Sequence, residues 1–295
     1  MRYHEILPAP ELAPYVNCFW VLEGAPAAAA PEPVFPDGCL ELLLYLQGAS
    51  DRLTLGGAPA QRNPRFELAG QMTRPYAVRW AGGAVCLVGV RFFPHTFACF
   101  APAGFDARLL NDQTLDAATV LGAWFRPVAA RLADCAQPSE AVAVLQAALR
   151  RQLRQFPPAE ARQHYLAAAV EYVLTQQGHA RLDGVLARLG VGPRYLEQLF
   201  GQAMGIGPKY FCRIIRFQQA FRFFGREANL TAVATACGYY DQAHFIRDFR
   251  HFTASTPGEF LRAPGGLSAA FLVESSCSYL YNHRPARGGS FVAAG

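Results

Sequence analysis

A single lysine, Lys209, stands in this chain of 295 residues, and the signs that usually announce chemistry are missing as well. The eight cysteines, at positions 18, 39, 86, 99, 135, 212, 237 and 277, form no CxxC pair, which excludes a disulfide framework or a zinc ribbon of the usual spacing and leaves buried thiols as the default. No GxGxxG, Walker loop, GxSxG or HExxH occurs. Within the first hundred residues the only histidines are His4 and His95, too far apart in sequence to declare a metal site. No apolar run reaches the roughly 18 residues that a membrane helix needs. The opening MRYHEILPAPE has acids and prolines where a secretory leader would be basic and then apolar, so a cytoplasmic protein with no membrane partner is expected.

What is present is apolar bulk and unevenly placed charge. At 52% hydrophobic, the chain can bury a large core, and its length suits about two domains of ~150 residues each. Between His164 and Arg262, ten Arg and one Lys face seven acids; residues 1 to 163 hold fourteen of each sign. Nearly all of the net charge of +5 therefore lies in the last third, which points to a polyanionic partner for that region alone.

From Tyr15 to about Phe100, short apolar runs (YVNCFWVLEG, LELLLYLQG, RFELAG, YAVRWAGG, AVCLVGVRFF) are punctuated by Gly and Pro, a pattern of strands in an all-β sandwich or barrel. Ala25 to Pro33 reads as a loop. In PDGCLEL, strand alternation sets Asp37, Cys39 and Glu41 on one face, where they can line an effector pocket. From Gln113 to Phe156 the period becomes helical, with Leu115, Val120, Leu121, Trp124, Phe125, Val128 and Leu132, then Val142, Leu145, Leu149 and Leu153 beyond a break at Pro138. Consecutive prolines in residues 155–159 mark a linker. The division expected is a β-barrel at 1–110, a helical connector at 111–158 that packs on its own domain or on a partner copy, an all-α unit at 159–262 and a flexible tail at 263–295.

The second half repeats itself. Leu182, Val185 and Gly190 return 48 residues later as Leu230, Val233 and Gly238; Leu196, Phe200, Pro208 and Phe211 return 49 later as Phe245, Phe249, Pro257 and Phe260. Each copy writes helix, glycine turn, helix, proline, the layout of a helix-turn-helix whose second helix enters a major groove. Alone, either second helix would be an ordinary amphipathic one. In the later copy Asp241 suits an N-cap, Phe245, Phe249 and Phe252 make one buried stripe, and Ala243, Arg247 and Arg250 fall opposite, with His251 at the margin. In the earlier copy Arg194 and Gln198 hold the phases of Ala243 and Arg247. Arg and Gln can read guanine and adenine edges by paired hydrogen bonds, whereas Ala offers only a methyl contact. Pro208 to about Gly225 forms a helix joining the two units.

The run ACGYYDQAHFIRDFRHFTASTPGEF at 236–260, with RYLEQLF and GIGPKYF before it, resembles the AraC/XylS transcription regulators over roughly residues 163–262. The resemblance implies an α+β two-domain protein in which Arg194, Gln198, Gln242, Ala243 and Arg247 face bases of double-stranded operator DNA. Arg213, Arg250 and His251 would meet its backbone. Gly192, where the family often has Ser or Thr, weakens one cap by a few tenths of a kcal/mol. PDGCLEL and LVGVRFFP are similar to pieces of cupin-like sensor domains, which implies a small-molecule effector, no cofactor and no catalysis. RNA polymerase and a second copy of the chain are further partners of such regulators. Two rivals stand beside this reading: a metal-dependent cupin enzyme fused to a DNA-binding module, with Asp37 and Glu41 joined by His95 and Cys99 as ligands, and a redox sensor using Cys39, Cys86 or Cys99.

Overall fold

Branched and aromatic residues in period two, bounded by Gly and Pro, favour strands over helices in the first hundred residues. A computed structural model describes residues 1–26, 31–54, 59–157, 160–224 and 226–262. Ten strands are formed in them: β1 (Arg2–Ile6), β2 (Val16–Gly24), β3 (Glu32–Val34), β4 (Glu41–Gln47), β5 (Ser50–Thr54), β6 (Gln61–Arg62), β7 (Phe66–Ala69), β8 (Tyr76–Trp80), β9 (Val85–Phe92) and β10 (Thr114–Asp116). They pair antiparallel in a six-stranded sheet of order β1-β2-β9-β4-β7-β10 and a four-stranded sheet of order β3-β8-β5-β6. The expected barrel thus takes the form of two facing sheets, and among the described residues no strand ladder closes one onto the other.

Two segments differ from the sequence expectation. Glu32–Val34, which overlaps the end of the stretch read as a loop, pairs with β8, while residues 27–30 of that stretch lie outside the described residues. Thr114–Asp116, read as the start of a helix, instead pairs with β7, Leu115 opposite Leu68. Asp116 explains the boundary: its carboxylate accepts from Thr119 N at 2.8 Å, so it caps the helix that follows rather than joining it.

The six-stranded sheet is buried on both faces because its strands alternate two apolar sets. Phe19, Val21, Leu42, Leu44, Val88 and Val90 face α1 (Ala117–Leu121), α2 (Arg126–Ala133) and α3 (Pro138–Gln155), whose Leu121, Leu132, Leu145 and Leu149 are equally buried. The connector helices therefore pack on their own domain. Trp20, Leu22, Leu43, Tyr45 and Leu87 point the other way, toward the second sheet. Gly89 makes this possible: a Cβ there would stand 2.1 Å from Trp20 Cε2, so the indole lies directly on its backbone.

The linker residues 158 and 159 lie outside the described residues. Beyond them come α4 (Glu160–Thr175), α5 (Leu182–Leu189), α6 (Pro193–Met204), α7 (Pro208–Phe223), α8 (Leu230–Ala236), α9 (Gln242–Thr253) and α10 (Pro257–Arg262). Their core is aromatic, with Phe200, Phe211, Phe217, Phe245, Phe249 and Phe252 fully buried, each worth roughly 1.5–3 kcal/mol. One member comes from far away: Phe35, just after β3, packs on Phe217, Phe221 and Phe260 with centroids 6.5, 6.2 and 5.7 Å apart. The tail from residue 263 lies outside the described residues.

Candidate nucleic-acid interface and ligand cavity

Both repeats fold as helix, left-handed turn, helix. After α5, Gly190 takes φ 64°; after α8, Gly238 takes φ 70°, a backbone that glycine adopts without a Cβ penalty. Gly238 has a second reason: a Cβ there would meet His179 Nε2 at 1.8 Å, the ring being bonded to the Cys237 carbonyl at 2.6 Å. Asp241 caps α9 by accepting from His244 N at 2.6 Å, whereas Gly192 gives α6 no side-chain cap.

On α6, Arg194 and Gln198 are exposed while Leu196, Leu199 and Phe200 are buried; on α9, Ala243 and Arg247 are exposed while Phe245, Phe249 and Phe252 are buried. Gln242 is half-buried, its Oε1 accepting from the Thr231 hydroxyl at 2.7 Å, which ties the start of α9 to α8. Of the three residues expected on the DNA backbone, Arg250 and His251 are exposed. Arg213 instead grips Asp248, Nη2 to Oδ1 at 2.9 Å, and its guanidinium also lies over the rings of Tyr210 and Phe252 at 5.1 and 5.4 Å. His251 is 2.9 Å from the Tyr210 hydroxyl, which donates to the Thr73 carbonyl at 2.8 Å; partial burial holds its imidazole below the ordinary range. Helix α7 is thereby bonded to α9 on one side and to the β-sheet domain on the other.

Two exposed neighbours carried no periodic signal in the sequence. Tyr240, at the tip of the turn before α9, is 94% exposed. Arg108, from the β-sheet domain, lines an open groove with Arg194, Glu197 and Gln198, where Asn111 Nδ2 also donates to the Gly205 carbonyl at 2.6 Å.

Between the two sheets lies a cavity of about 170 Å³. Asp37, Cys39 and Glu41 all line it, joined by residues that sequence reading had not singled out: Trp20, Tyr45, Glu67, Tyr76, Trp80 and Arg91. Arg91 Nε donates to Glu41 Oε1 at 2.8 Å and lies 3.6 Å from Asp37, while its Nη1 is 3.9 Å from Glu5. Trp20 Nε1 donates to the same Glu41 oxygen at 3.1 Å. Burial raises the Glu41 carboxyl against the pull of Arg91, and burial brings Glu67 up to about 7 although Tyr45 donates to it at 2.9 Å. His95 and Cys99 are not among the lining residues. Among the described residues no three His, Cys, Asp or Glu side chains are placed to share a metal ion. Burial lifts the thiols of Cys39 well above the ordinary value, Cys86 to about 11 and Cys99 to about 12, which keeps them protonated.

Gln218 of α7 lines the same cavity and donates through Nε2 to the Pro36 carbonyl. On the next residues, Gln71 Nε2 donates to the Gly38 carbonyl at 2.5 Å, and a Cβ on Gly38, whose φ is +84°, would touch the Phe211 ring at 2.8 Å. The loop from Phe35 to Gly38 is held at once by the sheets and by the helices.

Residues 185–263 match the family described as a helix-turn-helix domain, over both repeats. They form an AraC-type helix-turn-helix domain. Residues 4–116, ahead of it, match a domain of unknown function, DUF6597. The chain is similar to the transcriptional regulator GlxA of Rhizobium meliloti (strain 1021), 33% identical over 98 residues that cover 33% of this chain and 28% of GlxA, so it spans less than a third of that relative. Among solved structures it is similar to ToxT of Vibrio cholerae, with TM-score 0.45, 8% identity, and 82% and 97% of the two chains covered. It is also similar to a probable AraC family regulator of Rhodopseudomonas palustris, with TM-score 0.31, 25% identity, and 34% and 95% covered. Ahead of the AraC-type domain stand two antiparallel sheets and the connector helices, an α+β two-domain arrangement. Among the described residues no helix is long and apolar enough to cross a membrane.

Proposed function

We propose that the chain is a sequence-specific transcription regulator, not an enzyme, which binds double-stranded operator DNA in the cytoplasm and answers to a small molecule seated between its two sheets. The observation that carries the reading is the pairing of two second helices, α6 and α9, each presenting polar side chains away from a phenylalanine-filled core and each packed against the one helix α7. Arg194 and Gln198 read bases in one groove; Arg247 reads in the next, with Ala243 allowing a looser fit. Gln242 serves by holding α9 to α8. Arg250 meets phosphate, while Arg213 and His251 act on DNA through the position of α9, since Asp248 and Tyr210 already engage them.

Control passes through the loop at Phe35–Gly38, which lines the cavity and inserts into the helical core. A molecule that displaces Asp37 or Gln218 also moves the carbonyl that α7 holds. RNA polymerase and a second copy of the chain are the further partners of this reading.

Selection of full-length protein on randomised duplexes tests it. Arg247→Ala is expected to lose about 1–3 kcal/mol of affinity and to relax one operator position. An unchanged base profile in that variant removes Arg247 as a reader, and failure of the intact chain to enrich any sequence removes the regulator itself.

A further inference from the structure

The cavity's chemistry is lopsided in a way that neither domain's stability requires. Glu32, Asp37, Glu41 and Glu67 line it and Glu5 stands beside it, yet one guanidinium, Arg91, is shared by three of these five carboxylates. A second cation, Arg52, lies over the Tyr76 ring at 3.6 Å and donates to Thr114 Oγ1 at 3.0 Å. Even with both arginines the carboxylates at the cavity outnumber the cations, although Asp37 is about a third exposed. Burying carboxylates beyond their counter-charges is unfavourable, and such an excess marks a place where a positive group is supplied from outside.

Around the carboxylates stand Trp20, Tyr45, Tyr76 and Trp80, rings whose faces attract cations. Two further buried atoms on the lining residues have no hydrogen-bond partner: the acceptor Asn63 Oδ1 and the donor Trp80 Nε1. The first asks for an N–H donor on a ligand, and the second for an acceptor oxygen.

We infer that the cavity binds a small organic cation, an apolar body bearing one ammonium or amidinium group and one hydroxyl or ether oxygen, with its charge against Asp37, Glu41 and Glu67 and its body among the four rings. The inference rests on the effector reading above and names the effector's class. It excludes carboxylate ligands, which would add a further negative charge to a site already in excess. The cation also supplies what the protein lacks for signalling: drawing Asp37 toward a ligand loads the loop whose Pro36 carbonyl is held by Gln218.

Tyramine, tyrosol and para-hydroxyphenylacetate share a phenol with a short side chain that ends in an ammonium, an alcohol or a carboxylate, so calorimetric titration of full-length protein with the three compares positive, neutral and negative end groups on one body. Tyramine is expected to bind at least about tenfold more tightly than tyrosol, with no measurable heat from the carboxylate. Glu67→Gln, which keeps the shape and the acceptor for Tyr45, is expected to weaken tyramine about tenfold and to leave tyrosol within about twofold. Equal or tighter binding of the carboxylate, or a Glu67→Gln variant that weakens tyramine and tyrosol alike, overturns the charge assignment. Silence from all three overturns the cavity as the site of such a cation. A chain that takes tyramine yet selects no DNA sequence keeps this inference and loses the regulator.

Discussion

Glu67→Gln is also the sharpest probe of the fold, because it separates the burial of a charge from the burial of a shape. Burial brings the Glu67 carboxyl from an ordinary 4.5 to about 7 in the folded protein. Tyr45 and Arg52 draw it down, while Glu41 pushes it further up. A raised carboxyl binds its proton more tightly folded than unfolded, so between these two values the native state holds a proton that the unfolded state has lost. Stability therefore falls as pH rises, by 1.36 kcal/mol per unit across the interval, or about 3 kcal/mol in total. Above pH 7 the full penalty is present; below about 4.5 it is absent. Glutamine has no such penalty and still accepts from the Tyr45 hydroxyl. All three tryptophans, Trp20, Trp80 and Trp124, lie in the first half, so urea unfolding followed by their fluorescence reports on the sheet domain. The expected result is that wild type and variant differ little at pH 5, while at pH 8 the variant is more stable by up to about 3 kcal/mol. Parallel stability curves across that range would refute the reasoning, since they would mean that Glu67 is solvated or neutralised in the native state.

Other consequences are as direct. Gly89→Ala drives a methyl into the Trp20 indole and is expected to destabilise the sheet domain by about 1–3 kcal/mol, seen as a lower urea midpoint; a neutral outcome would mean that the indole does not rest on that strand. Arg213→Ala leaves Asp248 buried without its cation. With Arg213 a third exposed, the expected loss is about 2 kcal/mol, read by thermal unfolding, and it should vanish in the double variant that also carries Asp248→Ala. The salt dependence of DNA affinity divides the arginines further: Arg250→Ala lowers the slope by about one and Arg213→Ala leaves it alone, equal losses returning Arg213 to phosphate contact.

The helical half was legible because its signals repeat. Period 3.6 in Leu196 to Ala203 and in Phe245 to Phe252, two glycine turns and two prolines fix the elements and their exposed faces without reference to anything distant. The partners of Arg213 and His251 were not legible, because Asp248 and Tyr210 reach them from other helices and no spacing rule links residues that tertiary packing joins. In the sheet half, Asp37, Cys39 and Glu41 of PDGCLEL all line the cavity, but not by strand alternation: β4 begins only at Glu41, and Asp37 and Cys39 sit in the loop before it, turned by Gly38 at φ +84°. Its other members, Glu67, Trp80 and Arg91, come from β7, β8 and β9, which pairing between strands distant in the chain brings to the cavity, Glu41 opposite Arg91 and Ser50 opposite Trp80 among them. Thr114–Asp116 misled for a related reason: three residues carry too little periodicity to compete with a helical run that begins one residue later.

Phe35 sets a limit on modularity. A fragment beginning near residue 160 would keep every helix of the AraC-type domain but leave an empty socket among Phe217, Phe221 and Phe260, and it would lose the carbonyl that Gln218 holds. The border between the halves is consequently not a cut in the sequence: about four residues near the start of the chain belong, by packing, to its end. Grafting a different sensor onto these helices would require grafting that short tongue with them.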